Sequence, residues 1–443
     1  MPNDSRFDRG RPVPSGRLSR LAAIGGLAGS VAGNVLRDGA GRLARGERPR
    51  LSDLVLTPRN VTKATDQLAR MRGAAMKLGQ LLSMDAGELL PPELSEIMAR
   101  LRADAEPMPR AQLEQVLSRE LGADWRSRFE YVSHRPIAAA SIGQVHRALT
   151  TDGRDVAIKV QYPGIARSID SDVDNVAAVL RMSGLIPRHL DVSPLLDAAK
   201  AQLREEADYG REAEHLTRFG ELVAGDERFV VPSLQADLST RHVLAMSFVD
   251  SDPIETAVQM SQGERDRIAA ALIDLSLREL FDFRLVQTDP NPANYRIEKE
   301  TGRIALLDFG ATRSFDEALV SRCRDLLRAA KTADRALASE AIVALGLSGP
   351  SVPPERHARI LDLFAIASAF LRREGPADFA NDAALVELRD EALRLSEDRN
   401  VYLVPPADPL FLQRKYAGLY LLALRLRARV DLASLLDRHL AAA

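Results

Sequence analysis

Residues 285–313 read LVQTDPNPANYRIEKETGRIALLDFGATR, and this stretch decides the fold. Asp289 is followed five positions later by Asn294, and Asp308 opens an Asp-Phe-Gly triplet nineteen positions after Asp289. That is the spacing of a phosphoryl-transfer catalytic loop followed by its metal-binding loop. Mg²⁺ takes hard oxygen ligands, and Asn294 and Asp308 can supply a carbonyl and a carboxylate. Asp289, standing free of the metal, can orient the attacking hydroxyl or water. Thr301-Gly302 makes a turn, and the apolar run from Arg303 to Leu307 is of strand length and carries Asp308 back toward the loop. Alone, the triplet decides little, because Asp-Phe-Gly recurs by chance and Asp-Pro-Asn is ordinary turn chemistry.

The same chemistry requires a phosphate loop, a lysine and a helix glutamate, in that order. Residues 136–146 hold the run Ala138-Ala139-Ala140-Ser141, small enough to let backbone N–H groups approach phosphates. Alanine does not reach positive φ as cheaply as glycine, so a stiffer loop is expected. Val156-Ala-Ile-Lys159 places a lysine in an apolar strand, where an unpaired ammonium is costly. Glu205, Glu206, Asp208, Glu212 and Glu214 crowd a later helix, and Glu212 is the expected partner of Lys159. Met246, Ser247, Phe248 and Val249 occupy the hinge position, where adenine contacts are expected. The order then closes on Asp289, Asn294 and Asp308. Joint agreement in order and spacing points to a two-lobed, protein-kinase-like α+β fold.

Composition narrows the class. The chain has 443 residues, room for two or three domains. Hydrophobic residues make up 46% and charged residues 28%, the balance of a soluble globular protein. The net charge of -2 carries no polyanion-binding signal, so nucleic acid is not an expected partner. The single cysteine, Cys323, excludes an intrachain disulfide and a cysteine-based zinc site. It falls in a helical pattern and is expected to be a structural thiol. No apolar run reaches the roughly 18–20 residues of a membrane span. Arginine greatly outnumbers lysine, which hints at a GC-rich bacterial genome and a bacterial cytoplasmic protein peripheral to the inner membrane.

Along the chain, residues 1–54 form a basic, Gly/Ala-rich segment. Residues 1–50 alone hold ten arginines against four acidic residues, a local charge of +6. The small apolar stretch 21–36 within it suits anionic membrane lipids, a targeting peptide or a disordered tail. Residues 55–109 turn helical, with Leu68, Met71, Ala75, Leu78 and Leu82 at helical spacing. A further helix is expected over 110–121, with Trp125 as a packing anchor. Strands are expected over 142–148 and 154–160, joined by the Asp152-Gly153 turn. Helices follow over about 167–185 and about 193–220, then strands at 229–231 and 242–246. Residues 110–250 make the expected N-lobe, and 251–443 a mostly helical C-lobe.

Lys77-Leu-Gly79-Gln80, the alanine loop, Glu206-Ala-Asp208, Gln287-Thr-Asp-Pro-Asn-Pro-Ala-Asn294 and Asp308-Phe-Gly-Ala-Thr-Arg313 together resemble the UbiB (ADCK, aarF-domain) family of atypical kinases. The Gln-Thr-Asp-Pro-Asn form looks most like its coenzyme Q branch, and Leu412-Gln-Arg-Lys-Tyr-Ala-Gly418 also looks family-like. The resemblance runs from about residue 55 to the C-terminal helices. It implies that Lys77, Gly79 and Gln80 belong to an N-terminal helical extension covering the active site, engaged by Glu206 and Asp208. It also implies a Lys159–Glu212 ion pair, Asp289 as the catalytic acid residue, and Asn294 and Asp308 as metal ligands. ATP and Mg²⁺ are the implied cofactors, with isoprenoid-quinone precursors or quinone-biosynthesis proteins as partners. Two features depart from the family: Asn291-Pro292-Ala293 replaces a common His-Pro-Gly, and Ser247 replaces a hinge acid.

The expected function is Mg-ATP binding and hydrolysis supporting ubiquinone biosynthesis at a membrane surface. The alternatives are a nucleotide-gated module that binds lipid precursors without turnover, and a small-molecule or protein kinase. A protein kinase is disfavoured by the residues themselves. Gln287-Thr288-Asp289 lacks the arginine that would pair with a phosphorylated activation loop, no Ala-Pro-Glu follows Asp308, and helical text resumes by Glu317.

Overall fold

The computed structural model describes residues 108–140, 142–182, 193–350, 352–372, 375–381 and 406–441. Ser141, the basic segment 1–54 and the expected extension with Lys77, Gly79 and Gln80 lie outside the described residues. Packing divides the chain into two units. One takes the residues up to Ala213 together with Leu234–Phe248; the other takes Glu214–Ser233 and Val249 onward. One boundary therefore falls between Phe248 and Val249, inside the expected hinge stretch.

The first unit is built on an antiparallel sheet. Helix α1 (Arg110–Leu121) buries Leu113, Val116, Leu117 and Leu121, the three-and-four spacing of a helix with one apolar face. Trp125 follows it, buried and edge-on to Phe129 at 6.1 Å between ring centroids. Strands β1 (Phe129–Val132), β3 (Gly143–Thr150), β4 (Asp155–Gln161) and β6 (Val243–Ser247) lie in the order β1-β3-β4-β6, and the short β2 (Ala138–Ala139) also pairs with β3. The β3–β4 hairpin runs from Leu149↔Asp155 to Gly143↔Gln161. Its turn occupies the expected residues, closed by Thr150 N–H donating to the Arg154 carbonyl at 2.9 Å. β4 lies between β3 and β6, and every residue from Val156 to Gln161 is buried.

Three helices follow β4: α2 (Ile165–Met182), α3 (Ser193–Glu206) and α4 (Tyr209–Val223). The single long helix expected over 193–220 is therefore two, broken at Ala207-Asp208. The cause is local. The Asp208 carboxylate accepts from Arg211 N–H at 3.2 Å, a capping bond that satisfies the open start of a new helix.

Among the described residues, the second unit carries several helices and three small sheets. Strands β5 (Phe229–Val230), β7 (Ser251–Pro253), β9 (Tyr295–Glu298) and β10 (Ile304–Leu306) are ordered β5-β10-β9-β7. A two-stranded ladder joins β8 (Leu285–Gln287) to β11 (Thr312–Ser314), and another joins β12 (Ala377–Asp378) to β13 (Arg429–Val430). The helices are α5 (Gln262–Arg278), α6 (Glu317–Thr332), α7 (Arg335–Ala344), α8 (Pro354–Ala369), α9 (Ala407–Leu426) and α10 (Leu432–Ala441). A capping box of Ser261 and Glu264 starts α5. The mostly helical text expected here thus includes strands of two to four residues, too short to write a period-two pattern. Among the described residues, no helix is long and apolar enough to cross a membrane.

His146, fully buried in β3, ties the sheet to the segments around it. Its Nδ1 donates to the Ser133 carbonyl at 2.6 Å, which leaves Nε2 to accept from the Gln144 amide at 2.8 Å. Gln144 in turn accepts from Met108 N–H. Burial pushes the imidazole pKa down to about 4. The unfolded chain, with an ordinary value near ~6.5, therefore takes up the proton first as pH falls. The stability due to neutral His146 is complete above that value and is lost on descending toward 4. We expect wild type to lose roughly 2 kcal/mol more than His146→Gln between pH 7.5 and 5, at about 1.4 kcal/mol per pK unit. Urea titrations at the two pH values measure this, and parallel losses in both proteins would disprove it.

Candidate active site

The first cluster is in the first unit. Lys159 sits mid-strand in β4 with only 6% of its surface exposed, and Glu212 in the first turn of α4 has 1%. Lys159 Nζ donates to both carboxylate oxygens of Glu212, at 2.7 and 2.9 Å. The Tyr209 ring lies 5.3 Å from the ammonium. A two-oxygen contact of this kind offsets much of the desolvation that a buried ammonium suffers. The break at Ala207-Asp208 makes this pairing, because it restarts the chain as α4 with Glu212 in its first turn. Gln161, on the same face of β4 as Lys159, holds the break in place by donating to the Ala207 carbonyl at 2.9 Å.

The small-residue loop is the β2–β3 turn. Ala138 and Ala139 form the exposed strand β2, and Ala140 N–H donates to the Gly143 carbonyl at 2.9 Å. Gly143 permits a close approach. A Cβ there would overlap the Val160 carbonyl and lie 2.7 Å from the Tyr209 hydroxyl. Downstream, Met246 and Ser247 lie in β6, and Phe248 N–H donates to the Asp155 carbonyl while its ring receives the Arg147 guanidinium at 4.1 Å. Val249 begins the other unit. Glu206, buried, ends α3, and Asp208, exposed, caps α4, so the two acids stand either side of the helix break.

The second cluster is in the second unit, and its backbone sets its geometry. Strands β9 and β10 pair Tyr295 with Leu306. Asn294 immediately precedes one strand, and Leu307-Asp308 immediately follows the other. The two residues therefore leave the same end of one ladder. Leu307 N–H donating to the Asn294 carbonyl at 3.1 Å ties them. Within the loop, Asn291 caps its own 3₁₀ turn, and Asn294 Nδ2 donates to the Asp289 carbonyl at 3.2 Å. Thr288, fully buried, donates from both N–H and hydroxyl to the Ala311 carbonyl, so the segment after Asp-Phe-Gly is bonded to the residue before Asp289. One Asp308 carboxylate oxygen accepts from Gly310 N–H at 3.0 Å. Phe309, buried beside them, lies 4.8 Å from the Phe219 ring.

These residues suit Mg²⁺. Because the Asn294 amide nitrogen is committed to Asp289, its Oδ1 is the atom left to coordinate a cation. With Asp308 it makes an all-oxygen pair, which is the usual protein share when waters and phosphates complete a magnesium shell. Among the described residues there is no group of three or more His, Cys, Asp and Glu that would form a self-sufficient metal cage. Cys323 takes no part in such chemistry; burial pushes its thiol up to about 11, the wrong direction for a nucleophile.

Beneath this loop lies a group that the motifs did not assign. Lys415 of α9, 2% exposed, contacts Glu279 and Tyr295. Burial alone would push the lysine pKa down, but the opposed charge of Glu279, aided by Tyr295, outweighs it and holds the ammonium charged. A lysine inside the apolar run of 409–423 was the available signal, since lysine is seldom buried unpaired.

A model of the ABC1 atypical kinase-like domain matches residues 100–342. The atypical kinase COQ8 of Saccharomyces cerevisiae mitochondria is 36% identical over 96% of this chain and 84% of its own length. The mitochondrial atypical kinase COQ8B of Rattus norvegicus is 36% identical over 97% and 81%. Among solved structures, the Rv3197–erythromycin complex from Mycobacterium tuberculosis aligns with a TM-score of 0.56 at 25% identity, covering 85% of this chain and 95% of that one. The expected two-lobed kinase-like fold class is upheld. The expected bacterial cytoplasmic placement is overturned, because these curated relatives are mitochondrial proteins of eukaryotes. Arginine-rich composition sets charge and carries no address.

Two outcomes follow from the first cluster. Lys159→Met and Glu212→Gln should each destabilise the protein by about 3–5 kcal/mol, since each strands a buried charge. The double variant should lose much less than their sum, and strict additivity in denaturant unfolding would show that the pair is not one unit. Gly143→Ala should lower stability by roughly 1–3 kcal/mol through overpacking against Val160, read as a fall in Tm.

Proposed function

This chain belongs to the ABC1 (UbiB, aarF-domain) family of atypical kinases, enzymes of kinase-like phosphoryl-transfer chemistry, and we propose that it binds Mg-ATP and hydrolyses it in support of ubiquinone biosynthesis at a membrane surface. The observation that carries this reading is the joint departure of Asn294 and Asp308 from one end of the β9–β10 ladder, with Asp289 hydrogen-bonded to Asn294.

Each residue then has a defined task. Asp308 and Asn294 Oδ1 would hold Mg²⁺, which when bound neutralises charge on the phosphate oxygens. Asp289 orients the attacking oxygen and accepts its proton. Lys159, kept in place by Glu212, binds phosphate oxygens as a fixed cation. The Ala138–Ala140 turn lets backbone N–H groups near the phosphates, and Met246 to Val249 provide adenine contacts. Glu206 and Asp208 would engage Lys77, Gly79 and Gln80 as a lid that excludes a peptide acceptor.

Water is the favoured acceptor. The chain after Asp308 is bonded back through β11 to β8, and α6 begins at Glu317, so no long segment remains to form a peptide platform. The Gln287-Thr-Asp-Pro-Asn form and the kinship with COQ8 proteins support the ubiquinone pathway, with isoprenoid-quinone precursors or proteins of that pathway as partners. The membrane part rests on the +6 charge of residues 1–50 and their apolar stretch, suited to anionic lipids.

The deciding assay incubates the full chain with γ-labelled ATP, with and without anionic liposomes. Mg²⁺-dependent phosphate release is expected; label on an acceptor would make it a kinase, and binding without release a nucleotide-gated module. Asp308→Asn keeps the shape but removes the charged ligand. At a nucleotide concentration of about 100 Kd, wild type should gain roughly 2.7 kcal/mol of stability from Mg-ATP. This variant should gain almost none, and an undiminished thermal shift would remove Asp308 from the metal site.

A further inference from the structure

Helix α9 touches the catalytic loop at three points. Lys415 Nζ lies 3.4 Å from Gln287 Oε1, 3.0 Å from the Tyr295 hydroxyl and 3.1 Å from Glu279 Oε2. Gln287 ends β8 two residues before Asp289, and Tyr295 begins β9 one residue after Asn294. The ammonium therefore grips both ends of the segment that carries Asp289 and Asn294. Glu279, also 2% exposed, sits in the π-turn Glu279–Phe283 that ends α5, and it accepts from the Gln287 backbone N–H as well. Gly418, three residues on and so on the same face of α9, meets the middle of the loop. A Cβ at Gly418 would overlap the ring of Pro290, the residue after Asp289.

We infer that Lys415 is a positioning residue for phosphoryl transfer, a buried cation that sets the span between Gln287 and Tyr295 and thereby the placement of Asp289 relative to Asn294. This role rests on the phosphoryl-transfer assignment above. A merely structural ion pair would join two elements anywhere along their length. Here two of the three groups at the lysine, Gln287 and Tyr295, flank the loop, and Gly418 on the same helix face meets Pro290 within it. Within the loop, Asn294 N–H donates to the Asn291 carbonyl, Ala293 N–H to the Asn291 side chain, and Asn294 Nδ2 to the Asp289 carbonyl. From outside, Thr288 is bonded to Ala311 and Asn294 to Leu307, and Lys415 adds the side-chain restraint that spans the two ends.

The test separates positioning from folding. In Lys415→Met/Glu279→Gln both charges leave together, so no buried ion is stranded. We expect this variant to release phosphate from Mg-ATP at least about tenfold more slowly. That is a modest share of the roughly 100-fold that a 1 Å misplacement produces. KM for ATP should stay within about threefold, because Asp289 acts on the attacking oxygen and not on nucleotide affinity. Amide exchange at Thr288 and Asn294 should accelerate, with protection in α6 and α7 unchanged. Tyr295→Phe, which removes one hydroxyl, should show the same pattern more weakly and covers the case in which the double variant does not fold. Lys415→Arg, which keeps the charge, should recover part of the turnover. Wild-type turnover and exchange in a folded variant would overturn the inference, as would kcat and KM failing together with loss of protection throughout the unit. Should wild type itself release no phosphate, the ATPase assignment fails, and the exchange rates at Thr288 and Asn294 decide the role of Lys415 by themselves.

Discussion

A lysine in the centre of a sheet is tolerable only with a carboxylate brought to it, and the first unit is arranged around that requirement. Lys159 lies on β4 between β3 and β6 and is buried, so its ammonium has little access to water. Glu212 reaches it because the chain breaks at Ala207-Asp208 and restarts as α4. The break depends on a capping aspartate, and the approach of Tyr209 to β3 depends on the absence of a side chain at Gly143. None of these features is large in energy alone. Each removes one alternative placement of Glu212, and the buried charge penalises any placement that leaves Lys159 unpaired.

The second unit solves its problem differently. Asn294 and Asp308 are placed by backbone pairing, because both flank the Tyr295↔Leu306 step of one ladder. Backbone hydrogen bonds hold both positions, and one Asp308 carboxylate oxygen is engaged locally by Gly310 N–H. Side chains enter at the loop ends, where Thr288 bonds to Ala311 and where Lys415 lies between Glu279, Gln287 and Tyr295. The Asp-Phe-Gly phenylalanine is buried against Phe219, so this triplet is anchored by its middle residue while Asp308 stays partly exposed. Its kinship to mitochondrial COQ8 proteins makes the chain an atypical kinase.

The sequence by itself determined the chemistry. The intervals Asp289–Asn294 and Asp289–Asp308, the Val-Ala-Ile-Lys strand and the hairpin turn at Asp152-Gly153 are local features, and local spacing survives in the text of the chain. The fold class followed from their order. Among Glu205, Glu206, Asp208, Glu212 and Glu214, Glu212 is the expected partner of Lys159 and is the one that meets it, but only the tertiary structure gave the reason, a helix interrupted at Ala207-Asp208. The interruption was illegible, since both halves are helix-forming and Asp208 acts as a cap only in context. The same holds for Lys415. Its position in an apolar helix announces a buried charge, but its partners lie more than 100 residues away in sequence. Hydrophobic periodicity records that a face is buried and not what it is buried against, so contacts between distant segments appear only when the chain is folded.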